Sequence, residues 1–132
     1  MVSQVFRSRH RSRGFTLIEL LVVMAIIATL LAIAVPRYFL SLERAKEATL
    51  RQDLAVMREA IDKFAGDTGR FPESLRELVD KRYLRTLPED PITQSADSWT
   101  TTDSADADMP GITDVHSGAE GTATDGRAFV EF

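Results

Sequence analysis

Gly14 and Glu19 are the positions where this sequence most clearly asks for chemistry. The glycine stands between an arginine-studded tail and a long apolar run, and a carboxylate follows five residues later, inside that run. A carboxylate at the centre of a lipid-spanning helix costs about 2.5–3.5 kcal/mol, and less near an end. Glu19 therefore calls for a partner, either a cation or the positive end of a helix dipole. A second set of candidates consists of carboxylates alone. Asp103, Asp106, Asp108, Asp114 and Asp125 offer the hard oxygen ligands that calcium takes. The run from Asp106 to Gly111 opens like an EF-hand loop, but Pro110 takes the third ligand position and Ser117 stands where a bidentate Glu is needed. A solvated acidic loop without metal is the expectation, with a looser calcium loop as the alternative. His10 and His116 have no Cys, Ser or second His at useful spacing. There is no glycine-rich phosphate loop either, so neither catalysis nor a cofactor is expected.

The elements that must position these groups begin with the apolar run. Leu17 to Val35 is apolar except for Glu19 and Thr29. Counted from Phe15, it is about 21 residues and roughly 31 Å of helix, which matches the hydrocarbon thickness of a bilayer. A secretory signal has a shorter apolar region and a small-residue cleavage site, for which Ala32-Ile33-Ala34 is a weak match. Arg7, Arg9, Arg11 and Arg13 precede the run with no acid among them, which places the N-terminus in the cytoplasm. Residues 1–14 read as a basic leader, residues 15–36 as the transmembrane half of a long helix, and residues 37–132 as a head domain outside the inner membrane. Pro36 cannot donate a hydrogen bond to the carbonyl of Ala32, so a kink is predicted there.

Beyond Pro36 the helical pattern resumes. Leu50, Leu54, Met57, Ile61 and Phe64 recur at spacings of four and three, forming the apolar stripe of a helix that packs on a core. Gly66 and Gly69 supply the chemistry to end it near Ala65, which makes a helix of some 75 Å from Phe15. Ser74 and Glu77 have capping-box spacing for a short helix over about 74–82. Strands are predicted at Ser98–Thr102, anchored by Trp99, at Gly111–Ser117, and at Arg127–Phe132. The fold class is α+β: a long helix packed on a small head with a short helix and a short antiparallel sheet.

Composition narrows the partners. A chain of 132 residues has room for one small domain. Without residues 1–14, 12 basic and 20 acidic side chains remain, a net charge of −8. Such a head is not built to bind nucleic acid. There is no cysteine, so a core, a membrane or neighbouring subunits must supply stability.

The stretch Gly14-Phe15-Thr16-Leu17-Ile18-Glu19-Leu20-Leu21-Val22-Val23 resembles the leader junction of type IV pilins and type II secretion pseudopilins. Gly69-Arg70-Phe71-Pro72, Leu75, Leu78, Tyr83-Leu84 and Leu87-Pro88-Glu89-Asp90-Pro91 resemble the head of the major, G-type pseudopilin. The resemblance implies cleavage by a prepilin peptidase between Gly14 and Phe15, with N-methylation of Phe15. It also implies a Glu19 carboxylate paired with the Phe15 amine of a neighbouring subunit. The assembly would be a homo-oligomeric, helical periplasmic filament working with minor pseudopilins and an inner-membrane secretion platform. Departures begin after Asp90-Pro91. Ile92-Thr93-Gln94 stands in place of a Trp-Gly-Asn-Pro-like strand, and the end reads His116-Ser117-Gly118-Ala119-Glu120-Gly121-Thr122 where the family has a Gly- and Asp-rich calcium loop. A type IV pilin for adhesion, motility or DNA uptake is the alternative, and a membrane-tethered periplasmic binding module is a further one.

Overall fold

In the computed structural model, residues 1 and 13–132 are described. The predicted leader falls mostly on residues 2–12, outside the described residues, as do His10 and three of the four leading arginines. The described chain forms α1 (Leu17–Thr68), α2 (Leu75–Asp80), β1 (Thr100–Asp103), β2 (Ile112–His116) and a terminal 3-10 turn, Phe129–Glu131. It divides into two compact units, residues 1–38 and 39–132, with α1 contributing to both.

Within the first unit, α1 carries exposed Leu, Ile, Val and Met side chains from Leu17 to Val35. It is long and apolar enough to cross a membrane. Pro36 lies inside the helix, which runs unbroken through it.

In the second unit the predicted stripe is the core. Leu50, Met57 and Ile61 are fully buried, as are Leu54 and Phe64 to within 1%. They join Leu75, Leu78, Leu84, Trp99, Ile112, Val115, Phe129 and Phe132 in one cluster. α1 ends three residues later than predicted. Gly66 stays helical, and Gly69, at φ 76°, makes the turn by donating its N–H to the Ala65 carbonyl.

α2 starts where its cap predicts, since the Ser74 hydroxyl accepts the Glu77 N–H at 3.2 Å. The reciprocal arm reaches one residue further back, because the Glu77 carboxylate takes the N–H of Glu73. α2 ends two residues early. Arg82, at φ 64°, takes the left-handed position after the cap. Its N–H reaches the Val79 carbonyl and that of Tyr83 reaches Leu78, the paired bonds of a Schellman motif.

β1 and β2 form a two-stranded antiparallel sheet with Thr100 opposite His116. The register shifts between Thr102 and Asp103, where Thr113 is the extra residue. That bulge re-phases the strand, so Ile112 and Val115 are both buried although three residues apart. The predicted final strand is corrected. Phe129–Glu131 is a 3-10 turn, with only an isolated bridge between Thr122 and Ala128. A strand would send residues i and i+3 to opposite faces, whereas a 3-10 turn stacks them. It buries Phe129 and Phe132 together, edge to face at 5.9 Å.

Candidate functional site

The junction at the start of α1 is built from three residues. Gly14 is open, with nothing within 4 Å of where a Cβ would stand, and Phe15 is exposed. Thr16 precedes the helix, and its hydroxyl accepts the Glu19 N–H at 3.2 Å. In return the Glu19 carboxylate takes the backbone N–H of Thr16 at 3.4 Å, with the hydroxyl at 3.5 Å. This is a reciprocal capping box, and its Thr-x-x-Glu spacing is legible in the sequence beside the apolar run that drew the reading. Glu19 thus lies at the positive end of α1, with its carboxylate directed back to the peptide that follows Phe15.

The aspartates considered as calcium ligands do not converge, and among the described residues no three His, Cys, Asp or Glu side chains could share an ion. Asp106 bonds locally to the Asp108 N–H. Asp114 receives Arg58 Nε at 2.7 Å and the Val115 N–H at 2.8 Å, and its other oxygen faces His116 Nε2 at 3.3 Å. Partial burial pushes the Asp114 carboxyl up, but those hydrogen bonds and the charges of Arg58 and His116 outweigh it and leave the group below the usual aspartate range. Asp125 receives the Arg127 N–H at 3.1 Å, and the guanidiniums of Arg51 and Arg127 both reach it. The Arg127 bonds, with both arginine charges, hold it low.

Two buried acids escaped the sequence reading. Glu47, on the α1 stripe one turn ahead of Leu50, accepts the Thr124 N–H at 2.7 Å and its hydroxyl at 2.8 Å. Asp90 is fully buried, accepting the Ile92 N–H at 2.8 Å on one oxygen and the Ser117 hydroxyl on the other. An Asx turn at Asp90-Pro91 had a sequence signal, whereas Glu47 looked like a helix-surface charge.

Residues 9–35 match the prokaryotic N-terminal methylation motif family. The chain is 32% identical to the type II secretion system core protein G of Klebsiella pneumoniae over 98 residues, 62% of this chain and 70% of that one. The chain belongs to the type II secretion core protein G family. The corresponding protein of Pectobacterium carotovorum is also 32% identical, over 101 residues, 64% of this chain and 65% of the relative's length. The type IV major pilin PilA of Myxococcus xanthus is 36% identical over 75 residues, but these are 57% of this chain and only 34% of that pilin. No solved structure matches the chain. As a member of the core protein G family it joins a methylation-motif junction to an α+β head, and none of these relatives bears the name of an enzyme.

Proposed function

We propose that this chain is a structural subunit of a pseudopilus filament in type II protein secretion. A prepilin peptidase cuts between Gly14 and Phe15, and the new Phe15 amine is methylated. The subunit sits in the inner membrane with its N-terminus cytoplasmic and its head periplasmic. It then assembles with further copies, with minor pseudopilins and with the secretion platform. Glu19 pairs with the Phe15 amine of a neighbour, matching two charges that lipid and packed helices would otherwise leave alone. The observation that carries this reading is the Glu19 carboxylate, capped at the start of an exposed apolar helix and directed back to the residue 16 peptide.

Intact mass of the membrane-extracted protein tests the processing. A chain beginning at methylated Phe15 is expected, and a chain beginning near Pro36 would mark an ordinary signal peptide instead. The match to a Myxococcus pilin favours a second reading, a type IV pilus subunit. Deleting the gene separates the two. Loss of exoprotein secretion with surface pili intact supports the pseudopilus, and loss of pili with secretion intact supports the pilus.

A further inference from the structure

The segment after β2 lies where the G-type resemblance puts a calcium loop, so its donor set decides whether an ion fits. Calcium takes six to eight oxygens at about 2.3–2.6 Å from carboxylates, carbonyls and water, and its carboxylates must be free to face it. Asp103, Asp106 and Asp108 lie in β1 and the loop before β2, and the other two candidate carboxylates are already engaged. Asp114 is bonded to Arg58 and a backbone N–H, and Asp125 to Arg51 and Arg127. Both oxygens of Glu47 are taken by Thr124, and both of Asp90 by Ile92 and Ser117. Among the described residues, no buried side-chain nitrogen or oxygen lacks a partner. A divalent cation at Asp114 or Asp125 would have to displace guanidinium groups whose charge repels it. The residues present do not fit the ion.

We infer that this head closes its terminal segment with a metal-free clasp. Glu47 of α1 reaches across 77 positions of sequence to hold Thr124 by backbone and hydroxyl. One turn further along α1, Arg51 holds Asp125 at 3.0 Å. Two turns beyond that, Arg58 holds Asp114 and also takes the carbonyls of Val115 and Phe132 at 2.9 and 2.7 Å. One face of α1 thus presents an acceptor and two cations at helical spacing, which hold the terminal segment at Thr124, Asp125 and Phe132 and tie its end to β2. An ion that gathers a Gly- and Asp-rich loop is replaced by bonds internal to the chain. The inference rests on the family reading only for where a calcium loop would lie.

The test uses the full mature chain in detergent, stripped with EGTA and then titrated with calcium chloride. The clasp predicts a melting temperature that moves by less than about 1 °C, because a ligand that does not bind the folded state does not stabilise it. Glu47→Ala should speed amide exchange over residues 118–127 by about tenfold or more, equally in EGTA and in calcium, because exchange reads local opening. Thr124→Val, which keeps the shape and removes the hydroxyl, should speed it less; it carries the test if Glu47→Ala does not fold. The clasp is overturned if calcium raises the melting temperature by several degrees. It is also overturned if EGTA alone loosens residues 118–127, or if the folded variants leave exchange unchanged. Any of those outcomes would leave the filament reading standing, since secretion and intact mass test that separately.

Discussion

Single side chains of this head divide by what holds their charge. Asp114 and Asp125 are held low by arginines and backbone N–H groups, and Glu77 by the side-chain bonds from Arg70 and the N–H of Glu73. A carboxyl whose folded value lies below its unfolded one stabilises the fold fully above the unfolded value, about 3.9 for Asp and 4.3 for Glu. That stabilisation is lost as pH falls through the lower folded value. Asp53 runs the other way, raised first by burial and then by the charge of Asp90, so its protonation partly offsets the loss. Urea midpoints should therefore be flat from neutral pH down to about pH 5 and fall below about pH 4. In Asp114→Asn the acid decline should be shallower. Arg58→Met tests the same pairs from the other side. It unpairs Asp114 and two carbonyls, and should cost about 1–3 kcal/mol, toward the lower end because the Asp114 side chain is 40% exposed. Urea unfolding at pH 7 measures it, and an unchanged midpoint would show that Arg58 is a surface ornament.

At the scale of elements, α2 shows how much was legible and why the rest was not. Its start is written in Ser74 and Glu77, and Ser74→Ala should cost about 1 kcal/mol in urea unfolding. Its end is not written, because a left-handed arginine has no local signature. Arg82 is placed there by the packing of Tyr83 and Leu84 that follows it, both bonded to the Leu78 carbonyl. Arg82→Gly should therefore stabilise the head by up to about 1 kcal/mol, the strain relieved exceeding the glycine entropy. A lower urea midpoint would refute that balance. The same contrast runs through the other elements. The Leu50-to-Phe64 stripe was readable because a helical period repeats over many residues. The junction is readable as a place where a carboxylate meets an apolar run, and that stronger signal overlies the Thr-x-x-Glu spacing of the Thr16–Glu19 box. The bulge at Thr113 and the turn at Phe129 were not readable, since each is set by which aromatic or aliphatic side chain the core can still take. The Arg58–Asp114 and Arg51–Asp125 pairs join positions 56 and 74 apart, and no local pattern encodes such distances.

For the whole molecule, the two compact units impose different demands on one continuous helix. Residues 39–132 bury a core in which every buried side-chain nitrogen and oxygen finds a partner, whereas the α1 turns of residues 17–35 leave their apolar side chains exposed. Such a surface needs lipid or other copies around it. Folding of the head and assembly through the first unit should then fail separately. Leu54 is 1% exposed at the centre of the core stripe, and Leu54→Ala should destabilise the head by about 2–5 kcal/mol while leaving membrane retention intact. Glu19→Ala should do the opposite. It removes a carboxylate from an apolar helix, so insertion is unharmed and the urea midpoint of the head is unchanged. The Phe15 amine of a neighbour then has no anion in a low-dielectric setting, and leaving one partner of such a pair alone costs about 3–5 kcal/mol. Filaments sheared from cells should be absent in Glu19→Ala, and secretion should fall with them. Glu19→Asp keeps the charge on a shorter arm and should restore assembly in part. If Glu19→Ala assembles and secretes as the parent does, the carboxylate is only the cap that Thr16 makes of it, and the pairing role is wrong.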